Sequence, residues 1–224
     1  MLAPFQDRTD AGRRLADALK GRALERPVVY ALPRGGVPVG LEIARALGAP
    51  LDLVLVRKLG APGEPELALG AVVDGSDPQM IINQDVKVGT HASDAFIEQA
   101  RAHELQEIER RRRVYFQGLE RTDPKGRTAI VVDDGLATGA TARAAVKALK
   151  LQGAAKVILA VPVAPDDTLQ LLRAEADEVV CLRSERWFLG VGAFYDNFRQ
   201  VSDEEVVAML RQGAEAAGRG QVPS

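Results

Sequence analysis

Short uninterrupted apolar runs, each followed by a turn and a helix-period segment, constrain this chain more than any other feature. "PVVYAL" (27–32) is such a run, bounded by Pro27 and the turn "PRGG". "VPVGLEIARALGA" (37–49) follows as a helix ending at Gly48, and "LDLVLVRK" (51–58) reads as the next strand. After residue 127 the alternation resumes: "RTAIVVDD" as strand, "TARAAVKALKLQG" as helix closed by Gly153, "AAKVILAVPVA" as strand, "PDDTLQLLRAEA" as helix and "DEVVCLR" as strand. Runs without polar alternation are strands buried on both faces. Strands alternating with helices imply parallel pairing and right-handed crossovers. The expected fold is α/β: a doubly wound, mainly parallel sheet flanked by helices.

The remaining segments decorate that core. "DRTDAGRRLADALKGR" (7–22) reads as an amphipathic helix capped by Thr9 or Asp10. "LGAPGEPE" (59–66) reads as a Gly/Pro-rich loop, and 67–83 as a hairpin turning at Gly-Ser-Asp-Pro. A long helix is expected over 93–118, with Ser93 or Asp94 as cap and Gly118 as stop. Ser202 with Glu205 forms a capping box opening a final helix over 202–218, and the last few residues are expected to fray. The organisation expected is one domain spanning 1–224, with a hairpin-plus-helix insert at about 60–125 and a small appendage at about 183–201.

Composition narrows the function classes. Over 224 residues a formal net charge of −2 gives no basic footprint for a nucleic-acid polymer. The single cysteine, Cys181, excludes an internal disulfide framework and fits a reducing, cytoplasmic setting. No signal-peptide core, membrane span or clustered zinc motif stands out in the sequence.

The chemistry concentrates in "AIVVDDGLATGAT" (129–141). Adjacent carboxylates repel one another, so Asp133 and Asp134 are costly unless something polar or cationic meets them. They stand at a strand's carboxyl end, where open α/β sheets bind ligands. The loop that follows offers backbone N–H groups, a helix N-terminus and the hydroxyls of Thr138 and Thr141, a setting for phosphate. A phosphate beside paired acceptors suits a ribose 5-phosphate, whose hydroxyls need partners. No Walker lysine and no G-x-G-x-x-G is present.

This stretch resembles the signature of the type I phosphoribosyltransferases: a hydrophobic strand, two acidic residues, a short spacer and Thr-Gly-x-Thr. The resemblance covers roughly 27–60 and 127–182. It implies an enzyme that takes 5-phospho-α-ribose 1-diphosphate (PRPP) with Mg²⁺, moves ribose 5-phosphate to a nitrogenous base and releases pyrophosphate. Asp133 and Asp134 would hold the ribose diol and, through water, the metal. Ala137, Thr138, Gly139, Ala140 and Thr141 would cradle the 5-phosphate. Arg34, Gly35 and Gly36 in "ALPRGGVPVG" match the family's pyrophosphate loop, and Arg57 and Lys58 in "VRKLG" match its basic strand end. Arg34 and Lys58 would steady the diphosphate during catalysis. Read without the resemblance, Arg34 stands in a Pro-Gly turn, and Arg57 and Lys58 are a pair of surface charges.

The resemblance further implies a mobile loop opening at 60–70, a hood after the last strands and commonly a homodimer. Residues 186–200 hold Trp187, Phe188, Phe194, Tyr195 and Phe198, half of the chain's aromatics. Trp187 and Phe188 are the candidates for stacking on the acceptor base. A local aromatic core is the other reading of this segment, and the two are compatible. Ala137 stands where hypoxanthine-type members carry an aspartate, which argues against that subclass. "DDGLATGAT" and "RKLG" are closer to adenine-type members, although the tyrosine-rich loop of that subclass is missing. The run Arg110–Arg113 either reaches a polyphosphate or forms a solvated helix face. A non-catalytic PRPP- or nucleotide-sensing regulator on the same fold is the rival reading, since fold does not fix function.

Overall fold

The computed structural model describes residues 4–75 and 78–218. The expected Gly-Ser-Asp-Pro turn falls partly, and the expected fraying of the last residues largely, outside them. In chain order the elements are α1 (Arg8–Leu19), β1 (Val28–Ala31), α2 (Gly36–Leu47), β2 (Leu51–Leu53), β3 (Val56–Ala61), β4 (Glu64–Val73), β5 (Gln79–Ile82), α3 (Gln84–Gly89) and α4 (Asp94–Phe116). Then come β6 (Thr128–Val132), α5 (Ala140–Leu151), β7 (Lys156–Pro165), α6 (Asp166–Arg173), β8 (Glu178–Glu185), a 3₁₀ turn over 191–194 and α7 (Asp203–Ala216).

Five strands form a wholly parallel sheet in the order β2-β1-β6-β7-β8. Every residue of β1 and β6 is buried, as continuous apolar runs require. Alternation by two then sorts side chains to opposite faces. Ala129 and Val131 face α5 and α6, among Ala145, Leu149 and Leu169. Ile130 and Val132 face α1 and α2, among Leu15, Val39 and Ile43. The chain leaves β1 toward β2 on one side and β6 toward β7 on the other. The order therefore reverses between β1 and β6, and such a switch point opens a crevice beyond the strand ends.

The segment 51–58 is not one strand. β2 pairs with β1 only over Leu51–Leu53, and the Val54 N–H closes that ladder on the Ala31 carbonyl at 3.0 Å. By Leu55 the carbonyl already accepts the Asp74 N–H at 2.9 Å, so the chain has changed sheets. Arg57 and Lys58 consequently lie on β3 of a second, antiparallel sheet ordered β3-β4-β5. The expected loop over 59–66 is the tip of the β3–β4 hairpin. Pro62 and Gly63 turn it, with Gly63 at φ +76° as the second central residue of a type II turn requires. Pro65 is tolerated in β4 because β5 pairs only with Gly70–Val73, beyond it.

The insert is docked by a buried charge network. Asp52 accepts from Arg121 Nε at 3.0 Å and from the Thr122 N–H at 2.6 Å, while Arg121 Nη1 donates to Asp74 Oδ2 at 2.5 Å. Burial pushes the Asp52 carboxyl up, opposed by the Arg121 charge. One guanidinium thus ties β2, the end of β4 and the lead-in to β6. Smaller expectations are adjusted as well: α1 is capped by Asp7, whose side chain accepts from the Asp10 N–H, and α3 follows an Asn83 cap. Ser93 caps α4, and Ser202 with Glu205 closes the capping box of α7.

Candidate active site

β1 and β6 are parallel neighbours, so their carboxyl ends emerge side by side. The Leu32 N–H still bonds the Val132 carbonyl at 2.8 Å, and from there the two loops diverge across the crevice. The loop after β1 runs through Arg34, Gly35 and Gly36 into α2. The loop after β6 begins with Asp133 and Asp134 and leads into α5.

The two loops touch. A Cβ on Gly35 would lie 2.0 Å from Asp134 Oδ2, and one on Gly36 would lie 2.6 Å from the Val132 carbonyl oxygen. Only glycine lets the backbone come this close. The glycines and carboxylates picked from distant parts of the sequence therefore form one wall. The guanidinium of Arg34 does not face the acidic pair: Nη1 sits 3.5 Å from Asp203 Oδ1, at the start of α7.

The loop 135–139 continues from Asp134 into α5. Gly139 takes the N-cap of α5 at φ +69°, so the helix begins at Ala140, one residue before the expected Thr141. Thr168 on α6 steadies this loop by donating from Oγ1 to the Ala137 carbonyl at 2.9 Å. Ala137, Thr138, Ala140 and Thr141 are all exposed to the crevice mouth or solvent, and the first-turn N–H groups of α5 have no intrahelical acceptor.

The acidic pair is asymmetric. Arg8, on the first turn of α1, donates from Nε to Asp134 Oδ2 at 2.7 Å, with side-chain exposures of 11% and 13%. Arg8 Nη1 also donates to the Arg199 carbonyl at 2.7 Å, and its guanidinium lies 3.9 Å over the Phe198 ring. Tyr195 donates its hydroxyl to the Asp134 carbonyl at 2.6 Å. Asp133 accepts the Asp134 N–H at 2.9 Å and, among the described residues, forms no ion pair. Burial first, and the Asp134 charge second, push its carboxyl well above the ordinary carboxylate range.

Other expected residues lie apart from the pair. Arg57 is bound to Glu104 on α4 at 2.6 Å and Lys58 to Glu66 on β4 at 3.1 Å. Glu104 precedes Tyr115, the α4 residue that bonds Asp203 beside Arg34, by three turns, or roughly 16 Å of helix. Trp187 is 86% exposed, and Phe188 stacks on Phe194. Phe194 and Tyr195 pack with Phe5 and Val163 as a local aromatic core. Residues 60–70, expected to open a mobile loop, form the β3–β4 hairpin. The arginines of the 110–113 run pair with glutamates of their own helix, Arg110 and Arg111 with Glu107, Arg112 and Arg113 with Glu109, and Arg112 also lies 3.7 Å from the buried Asp74. Arg8 was not among the expected site residues, because its only local role is that of a helix-opening cation.

Among the described residues no group of three or more His, Cys, Asp or Glu side chains could hold a metal ion, and no helix is long and apolar enough to cross a membrane. The crevice offers two adjacent carboxylates and a phosphate-sized loop, chemistry suited to a phosphorylated polyol.

Comparison with known proteins agrees with that chemistry. The profile described as a phosphoribosyl transferase domain matches residues 4–199. Two Mycobacterium tuberculosis proteins, from strains CDC 1551 and H37Rv and both provisionally named phosphoribosyl transferases, are each 49% identical over 206 residues, covering 92% of this chain and 46% of the relative. The chain therefore spans about half the length of these curated relatives. The crystal structure of TT1426 from Thermus thermophilus superposes with a TM-score of 0.83 at 43% identity, covering 92% of this chain and 97% of that one.

Proposed function

Because the chain belongs to the phosphoribosyl transferase domain family, we propose that it transfers ribose 5-phosphate from PRPP to a nitrogenous base and releases pyrophosphate. The observation that carries this reading is the contact of Gly35 with Asp134 at the switch point. It joins two loops distant in sequence, and the one that carries the carboxylates leads directly into the N-terminus of α5.

In this reading residues 137–141 hold the 5-phosphate at the positive end of α5. The acidic pair accepts hydrogen bonds from the ribose 2- and 3-hydroxyls. The Arg34–Gly36 turn offers backbone N–H groups at the start of α2 to the diphosphate. The base nitrogen forms its bond to the ribose C1 carbon as the bond from C1 to the diphosphate oxygen breaks. The electron pair leaves with pyrophosphate, and the nitrogen's proton passes to solvent. Positive charge on the ribose in the transition state is favoured by the adjacent carboxylates, so positioning and electrostatics supply the rate. Asp133 and Asp134 would hold a hydrated Mg²⁺ through water, since Mg²⁺ keeps several waters and takes few protein carboxylates. It would offset the diphosphate charge when bound.

One observation favours a second reading. Arg57 pairs with Glu104 and Lys58 with Glu66. A protein that binds PRPP or a nucleotide as a signal has no need of those cations on a leaving group. The experiment that separates the readings incubates the protein with Mg²⁺ and PRPP against purine, pyrimidine and pyridine bases, with products detected by mass. A nucleotide product supports transfer and names the acceptor. PRPP binding by calorimetry without any product supports the sensor.

A further inference from the structure

We propose that Arg8 is a positioning residue that divides the acidic pair, committing Asp134 to the scaffold and leaving Asp133 as the carboxylate that receives a ligand's vicinal hydroxyls. The inference rests on the reading of the crevice as a ribose phosphate site and deepens it.

The geometry fixes Asp134 from three directions. Arg8 Nε takes its Oδ2 at 2.7 Å, Gly35 packs against the same oxygen, and Tyr195 holds the backbone carbonyl at 2.6 Å. Arg8 is itself held between the Phe198 ring and the Arg199 carbonyl. A guanidinium covered on one face by a ring, hydrogen-bonded at its edge to a carbonyl and largely shielded from solvent is not a mobile counter-ion. Charge-assisted hydrogen bonds of this kind are short and directional. Asp133 lacks Arg8 and Gly35 as partners and is met by its neighbour, through the Asp134 N–H and the adjoining Asp134 carboxyl.

The anchoring segment is part of the same device. The Phe5 N–H bonds the Phe194 carbonyl at 2.9 Å, and the N–H groups of Asp196 and Asn197 bond the carbonyls of Phe5 and Gln6 at 2.8 and 2.9 Å. Residues 5–8 and 194–199 thus form one bracket that presents Arg8 to Asp134. The groups whose charge bears on Asp133 are Asp134 beside it, Arg8 from α1 and, from the appendage, the Tyr195 hydroxyl.

The test is calorimetry of Mg²⁺–PRPP binding to the full chain, with amide hydrogen exchange as a second readout. In Arg8→Gln PRPP affinity should fall by about tenfold, the scale of one lost charge-assisted bond. Arg8→Lys keeps the charge, should recover most of that affinity, and serves if Arg8→Gln fails to fold. Asp134→Asn should lose affinity to about the same extent as Arg8→Gln, and the double variant should bind no worse than either. Asp133→Asn should lose more affinity than Asp134→Asn. Equal losses at the two aspartates, or additive losses in the double variant, would overturn the division of roles. If wild type binds no PRPP but the Phe5 and Asp196 amides exchange faster in Arg8→Gln, the substrate reading fails while the hold of Arg8 on the bracket stands.

Discussion

Asp133 carries the chain's most consequential titration. Its folded-state carboxyl sits above the ordinary range, so the folded protein binds that proton more tightly than the unfolded chain does. The contribution of this residue to stability therefore falls as pH rises from the ordinary carboxylate midpoint toward the raised one, and stays low above it. Asp133→Asn should flatten this dependence and raise the melting temperature at neutral pH, checked by thermal melts between about pH 4 and 8. A ligand that prefers the ionised carboxylate should release a proton on binding, which calorimetry in two buffers of different ionisation heat will register. Gly35→Ala tests the neighbouring wall. Its methyl would collide with Asp134, so PRPP affinity should drop by at least about tenfold while far-ultraviolet circular dichroism stays native. The acidic pair and the two glycines were legible in the sequence because strand, carboxylates, turn and helix lie in one local window. Arg8 was not. Its partner lies 126 positions away, and no local pattern distinguishes an arginine that reaches a carboxylate from one that opens a helix in solvent.

The elements show the same division between local and distant causes. The five core strands and their helices follow from apolar runs and caps, so they are readable with ends displaced by a residue or two. The break after Leu53 is not readable, because "LDLVLVRK" has no turn residue where it changes sheets. What breaks the strand is competition for backbone partners, with Ala31 on one side and Asp74 on the other. The α3 helix did have a signal, the Asn83 cap followed by Asp85 in the first turn. The join between insert and core rests on Arg121 between Asp52 and Asp74, whose side chains are 3% and 0% exposed. Arg121→Met leaves Asp52 buried without its ion-pair partner, while Arg112 still lies 3.7 Å from Asp74. Chemical denaturation should show a loss of about 3–5 kcal/mol, the scale for stranding one partner of a buried pair. Asp52→Asn in the same background should recover part of that loss, since it removes the stranded charge.

At the scale of the whole molecule, the parallel sheet brings two loops together, and the bracket of residues 5–8 with 194–199 closes over them. The bracket should behave as one cooperative unit. Hydrogen exchange at the Phe5, Asp196 and Asn197 amides should be slow in wild type and should accelerate together in Arg8→Gln, while the β6 amides stay protected. The bracket also has a consequence for how the protein is made. Residues 5–8 leave the ribosome ahead of their partners at 194–199, which follow on the order of 10–40 s later at ordinary synthesis rates. Once residues 133 and 134 have been made, the nascent chain carries its acidic pair without the cation's anchorage to Arg199 until the appendage follows. On the proposed reading, a product stalled before the appendage should bind the activated sugar phosphate about tenfold more weakly than the full chain.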